Sequence, residues 1–302
     1  MSVAVPQPHS QIEVASEDGA LFKLRRHGDP RAATRLFVSH GNGFAVDGYF
    51  HFWRRFLADF EVVLFDMRSH GRNPPADPAD HDYAHMVEDI AAICRAVRAE
   101  FGAKPAAGLF HSMSAQAALI QTIEGNPHFD ALVLFDPPNV PAQGHPVHQA
   151  MVGYERKLAD WAGRRRDHFD QPEELAAEYA ATRSGRRWAT GIDLLMARSV
   201  LRREGDGWAL ACPPELEASM YLDGITLGLW PRREQVPVPV TLIGADPDCA
   251  YPAATGLANR ALAAESGFDY RAVPGTSHLL QLEAPAACAE AALAVLARLG
   301  LA

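Results

Sequence analysis

No stretch of this chain approaches the roughly 18 consecutive apolar residues that a membrane-crossing helix requires. Its first ten residues hold Pro6, Pro8 and His9 where a secretory leader needs an apolar run. The four cysteines, Cys94, Cys212, Cys249 and Cys288, have neither the paired spacing of a zinc site nor that of a redox motif. Charge is not gathered into blocks. The 28 basic and 37 acidic residues are dispersed for a net charge of −9, and nothing favours a nucleic acid as partner. The run Arg164-Arg165-Arg166 is short and flanked by Asp160, Asp167 and Asp170, as a solvated helix face would be. No glycine-rich phosphate loop stands between a strand and a helix, and no metal ligands cluster, so no cofactor and no metal ion are expected. From these absences a soluble, cytoplasmic protein with no membrane or nucleic-acid partner is expected; they say nothing of its oligomeric state.

What is present is enough apolar material for a full core: 48% of 302 residues. Short apolar runs alternate with helix-length segments, which predicts an α/β fold with a mostly parallel twisted sheet covered on both faces. Gln11–Ser16 and Ala20–Arg26 flank Asp18-Gly19 and read as an antiparallel hairpin. Arg35–Ser39, Glu61–Asp66, Ala106–His111, Ala131–Asp136, Val240–Gly244 and Tyr270–Val273 read as buried strands. Helical periodicity marks Gly48–Asp59, Tyr83–Phe101, Ser114–Glu124, Ala253–Ser266 and Ala286–Leu299. The rhythm breaks after Asp136. Amphipathic helices are expected around Tyr154–Arg165 and Glu173–Arg183, with no convincing strand before the pattern reopens at Pro237–Pro239. The expected organisation is a core of residues 1–136 and 234–302 carrying an α-helical cap of residues 137–233.

The most informative segment is 105–118. A small-residue-rich strand ends at His111, Ser112 sits at a bend, and a helix of small and apolar residues begins at once. Such a corner exposes one hydroxyl and puts the next amide, that of Met113, at the positive end of a helix. Three further segments accompany it: His40-Gly41-Asn42-Gly43 after one strand, Asp66-Met67-Arg68-Ser69-His70-Gly71 after the next, and Gly275-Thr276-Ser277-His278 after the last. In this order the four segments resemble the α/β-hydrolase superfamily, and the resemblance covers nearly the whole chain outside the cap. One departure is clear: Phe110 and Ser114 stand where the family's Gly-x-Ser-x-Gly pattern has glycines.

The resemblance implies Ser112 as nucleophile and His278 as its base, brought together at the carboxyl ends of parallel strands although 166 positions apart in sequence. For the acid that orients the histidine, Asp248 is the first choice, on the spacing to Pro252. Asp246 is the second, because a count from Gly244 falls on Pro247 between the two acids. Asp136 is the third, since some superfamily members, the haloalkane dehalogenases among them, supply the acid from the strand before the cap. The oxyanion hole is assigned to the amides of Asn42 and Met113. Phe44, Tyr49 and Phe50 are candidate substrate contacts. The cap residues Tyr154, Trp161, Tyr179, Trp188, Leu194, Met196, Tyr221 and Trp230 could line a pocket or form the cap's own core. His40 and His70 are expected to organise turns, and His111 to point away from the nucleophile.

The implied activity is a serine hydrolase that cleaves a small or medium carboxylic ester through an acyl-enzyme. C–C, amide or thioester hydrolysis and acyl transfer use the same residues. A catalytically silent ligand-binding member is the alternative of another class. Serine at the corner argues against an epoxide hydrolase or a dehalogenase, both of which need a carboxylate nucleophile.

Overall fold

Runs of four to eight residues rich in Val, Leu, Ile and Phe build one eight-stranded sheet. The computed structural model describes residues 4–302. The strands are β1 (Ser10–Ala15), β2 (Leu21–Gly28), β3 (Arg35–Val38), β4 (Glu61–Leu64), β5 (Ala106–His111), β6 (Ala131–Phe135), then β10 (Val240–Gly244) and β11 (Asp269–Ala272), with β7 to β9 lying apart. The order across the sheet is β1-β2-β4-β3-β5-β6-β10-β11. The β1–β2 and β2–β4 pairings are antiparallel and the rest parallel. The strands and the mostly parallel sheet match expectation to within one or two residues.

Both faces of the sheet are covered, because neighbouring residues of a strand point to opposite sides. Leu36, Val38 and Leu109 join one buried cluster with α1 (Phe50–Trp53) and α10 (Pro285–Arg298). Phe37 and Phe110 join the other, with α2 (Tyr83–Phe101), α3 (Met113–Glu124) and α8 (Ala254–Ser266). A short α9 (Leu280–Glu283) precedes α10. The helix expected over Gly48–Asp59 is broken into a 3₁₀ turn at Val46–Tyr49, the four-residue α1 and a second 3₁₀ turn at Arg54–Phe56. Tyr49, Phe50, Phe52, Trp53 and Phe56 are all buried; they need cover on every side, which one amphipathic stripe does not provide.

Between β6 and β10 the chain forms an insert over the carboxyl ends of the parallel strands. It contains α4 (His148–Ala162), α5 (Pro172–Ala181), α6 (Ile192–Val200) and α7 (Pro214–Thr226). It is not purely helical. β7 (His168–Phe169), β9 (Gly207–Leu210) and β8 (Leu201–Glu204) form a small antiparallel sheet, contrary to expectation. Gly205 and Asp206 close the β8–β9 hairpin, with Gly205 left-handed at φ 57°. Strands of two to four residues carrying Arg202, Arg203 and Glu204 hold too few apolar alternations to register as a pattern. Among the described residues no helix is long and apolar enough to cross a membrane.

The interior holds many histidines kept neutral by burial. Loss of hydration lowers His27 and His40 to about 4, and His70, His81 and His111 to about 3. An unfolded chain protonates these rings near their ordinary value of 6.5 whereas the folded chain does not. Their contribution to stability is therefore full above pH 6.5 and is lost as the pH falls below it. We expect the unfolding free energy, measured by urea titration, to drop steeply across that range. A His81→Leu variant should show a slope shallower by up to about 1.4 kcal/mol per pH unit; identical slopes would remove His81 from this account.

Candidate active site

Strand β5 ends in a corner that is strained by its own geometry. Ser112 has φ 53° and ψ −117°, one of three non-glycine residues with positive φ among the described residues, the others being Ser69 and Asp136. Such a backbone costs roughly 1–3 kcal/mol and persists only where its surroundings impose it. Here Ser112 N–H donates to Phe135 O at 3.0 Å. The hydroxyl of Ser114, in the place of a glycine, accepts from His111 N–H at 3.1 Å and donates to His111 O at 3.0 Å. The other substituted glycine is Phe110, whose ring packs edge-on against Phe65 and Phe129 in the core. Gly41 comes so close to this corner that a Cβ there would lie 2.8 Å from His111 Nδ1 and 3.1 Å from Ser112 Cβ. Only glycine fits.

The corner presents Ser112 Oγ to His278 Nε2 at 2.9 Å, and His278 Nδ1 lies 2.8 Å from Asp136 Oδ2. Ser112 and Asp136 directly follow β5 and β6, and His278 lies in the loop after β11. Asp136 is fully buried. Its carboxylate also receives the amide of Ala245 and the Asn259 side chain, each at 3.0 Å, and the Thr255 hydroxyl. An acceptor with so many donors fixes His278 as the Nδ1–H tautomer, which leaves Nε2 to accept from the serine.

The structure does not bring Asp248, the first choice from sequence, to the histidine. Its side chain is 80% exposed and pairs with Arg260 at 2.6 Å. Asp246 is not there either. It receives the amides of Gly275 at 2.7 Å and Asp248 at 2.9 Å, bracing the turn that leads to His278. The physical reason is strand order. β6 lies between β5 and β10, and the left-handed backbone of Asp136, at φ 45°, turns its side chain towards the loop after β11. The one legible hint was that the count from Gly244 lands on a proline.

A second hydrogen-bonded chain runs beneath the first. Gly41 N–H donates to Tyr49 Oη at 3.3 Å, Tyr49 Oη is 2.8 Å from His111 Nδ1, and His111 Nε2 is 2.9 Å from the carbonyl of His278. A carbonyl can only accept, so His111 carries its proton on Nε2 and the tyrosine hydroxyl donates to Nδ1. Burial keeps that imidazole neutral and pushes the Tyr49 phenol well up, so both stay in these roles. His111 therefore does not simply point away, as expected; it holds the backbone of His278, and sequence pattern carried no signal for this. His40 and His70 organise turns as expected, through Met67 N–H on His40 Nε2 at 3.0 Å and Gly43 N–H on His70 Nε2 at 3.1 Å.

Above Ser112 lies a cavity of about 420 Å³. Asn42 lines it, and its side chain donates to Glu217 O at 2.7 Å, so α7 holds the loop after β3. Neither the Asn42 nor the Met113 amide has an acceptor among the described residues. Of the three expected substrate contacts, Phe44 lines the cavity; Tyr49 and Phe50 do not, being packed into the core beneath it. From the insert, Tyr154, Trp161, Tyr179, Trp188 and Tyr221 line it, whereas Leu194, Met196 and Trp230 do not.

Two clusters have the residue types of a metal site. His70, His81 and Cys212 are buried with ligand atoms within 4.8 Å of one another. Both nitrogens of His70 are engaged, by Arg68 O and the Gly43 amide, which leaves two ligands where a closed zinc site uses four. In the group Asp18, Asp80 and His85, the Arg68 guanidinium already binds Asp18 at 2.9 Å. Neither donor set fits a resident metal.

Residues 36–291 match the sequence profile of the alpha/beta hydrolase family. No curated protein sequence matches the chain. Solved structures do. An E-2-(acetamidomethylene)succinate hydrolase is 17% identical, covers 97% of this chain and 100% of its own, and has a TM-score of 0.75. A thermophilic esterase from Thermogutta terrifontis, with malate bound, is 16% identical over 96% and 98% with a TM-score of 0.68. The thioesterase domain of a curacin biosynthetic pathway is 17% identical over 94% and 100% with a TM-score of 0.67. At these identities the likeness is one of fold.

Tyr49→Phe leaves His111 Nδ1 buried without a donor. We expect it to lower the unfolding free energy by about 1–3 kcal/mol, read by urea titration at neutral pH. A variant as stable as the wild type would show that the Tyr49–His111 bond does not brace this site.

Proposed function

The chain belongs to the alpha/beta hydrolase family, and from that premise we propose that it is a serine hydrolase cleaving a small or medium carboxylic ester through an acyl-enzyme. The observation that carries this reading is the unbroken line Ser112 Oγ–His278 Nε2 at 2.9 Å and His278 Nδ1–Asp136 Oδ2 at 2.8 Å. In it, Ser112 Oγ attacks the scissile carbonyl while His278 Nε2 takes the hydroxyl proton. Asp136 holds the ring and stabilises the imidazolium that forms. Negative charge on the carbonyl oxygen is met by the amides of Asn42 and Met113, each contributing roughly 3–4 kcal/mol by analogy with measured losses of such donors. His278 then returns the proton to the leaving alcohol, and water on the same path releases the acid.

Residues 137–233 serve in this reading as a cap that selects the substrate. The cavity suits a small molecule, and Phe44, Tyr179 and Trp188 give it an aromatic wall. Hydrolases of several bond types among the structural neighbours share the fold, which does not by itself choose the bond. The ester is preferred over an amide or a C–C bond because an alcohol leaves more readily than an amine or a carbanion.

A fluorophosphonate probe should label the wild type and not Ser112→Ala. A panel of p-nitrophenyl esters of graded chain length should be turned over, with a preference for short or medium acyl groups. Folded wild type that neither labels nor hydrolyses any ester would overturn the reading in favour of a ligand-binding protein. Asp136→Asn should lower kcat by about ten-thousand-fold, as in triads where the orienting acid is neutralised, while Asp248→Asn stays close to wild type. The reverse pattern would return the role to Asp248.

A further inference from the structure

The cavity over Ser112 is lined by two guanidinium groups, Arg183 and Arg187, both from the insert, and a third, Arg165, stands behind its wall. Their electrostatic situations differ. Arg165 is buried, 2.6 Å from Glu217, and donates to the Tyr179 hydroxyl at 3.2 Å. Arg187 lies 2.8 Å from the buried Glu283 and also reaches the Gly275 carbonyl, so it ties the insert to the loop that carries His278. Arg183 has no carboxylate partner among the described residues. It stands exposed at the cavity mouth with its guanidinium carbon 5.1 Å from the centre of the Tyr251 ring.

That stacking orients a guanidinium without neutralising it and leaves its N–H donors free. Of the two hydroxyls flanking it in sequence, Thr182 Oγ1 is engaged by Tyr179 O and Gly185 N–H, while Ser184 Oγ has only a 3.4 Å contact with Thr182 Oγ1 and so has hydrogen-bonding capacity to spare. Among the described residues the one acid lining the cavity, Glu217, is already matched by Arg165. The remaining carboxylate near the cavity, Asp136, is buried beneath it and held by His278, Ala245, Asn259 and Thr255. Of the guanidinium groups at the cavity, Arg183 is thus the one without a carboxylate partner among the described residues, and the aromatic walls concentrate its field on whatever enters.

We propose that Arg183 is a specificity residue that binds a carboxylate of the substrate, so that the ester cleaved at Ser112 carries a free carboxylate at the end remote from the scissile bond. This rests on the hydrolase reading above. Planar, two-pronged pairing of guanidinium with carboxylate supplies both the affinity and the orientation.

The test compares the p-nitrophenyl monoester of adipic acid with p-nitrophenyl hexanoate, which matches it in carbon number and lacks the charge. Wild type should favour the adipate. Arg183→Ala and Arg183→Gln should lower kcat/KM for the adipate by about tenfold or more, mostly through KM, and leave the hexanoate nearly unchanged. Arg183→Lys should restore part of the loss, and high salt should shrink the wild-type preference. Calorimetry of adipate-monoester binding to Ser112→Ala, with and without Arg183→Ala, reads the same contact without turnover. Equal effects on both esters, or none, together with unchanged binding, would overturn the proposal while leaving the hydrolase intact. Loss of labelling and of all ester turnover in wild type would instead remove the reading beneath it.

Discussion

The left-handed backbone at Ser112 is the constraint on which the rest of the site depends. A serine in a relaxed strand end would direct its hydroxyl along the sheet face, into the core. Forced to φ 53°, it stands clear of both strand and helix. The cost is borne by ordinary packing: Phe110 locked among aromatic rings on one side, the Ser114 hydroxyl clamping His111 on the other. The neighbouring strand repeats the device at Asp136. Two adjacent strands thus end in strained residues whose side chains converge on one imidazole.

The insert contributes to this geometry more directly than a lid would. α7 holds the Asn42 side chain, and Glu217 fills the space beside Gly43, where a Cβ would meet its carboxylate at 2.3 Å. Ala189 N–H donates to Leu282 O at 2.8 Å, and Arg187 grips Glu283, which in turn accepts from Ser277 N–H at 2.9 Å. Both loops that flank the hydroxyl are therefore braced from above as well as from the sheet. Loops with that many cross-ties are positioned before any ligand arrives, which favours preorganised chemistry.

Neutral histidines do much of the internal wiring. His40, His70 and His111 each accept at one nitrogen and donate from the other, joining segments far apart in sequence. Only an imidazole has both a donor and an acceptor on one rigid ring, and burial holds it in the form that offers both. Cations at these positions would leave the amides of Met67 and Gly43 facing another donor.

The sheet, its two covered faces and the corner at residue 112 were legible because local pattern determines them: strand-length apolar runs, helical periodicity, and small residues where backbones approach. Phe44 beside the cavity and the Asn42 loop followed from the same segments. The insert's hairpin was illegible because strands of two to four polar-rich residues leave no periodic trace. Which carboxylate meets His278 was decided only by tertiary structure. Asp136, Asp246 and Asp248 all follow strand ends in sequence, and local spacing, which favoured Asp248, ranks them wrongly for contact with His278. Which one meets His278 depends on β6 lying beside β5 and on the turn of the chain at Asp136, and strand order is a property of the assembled sheet.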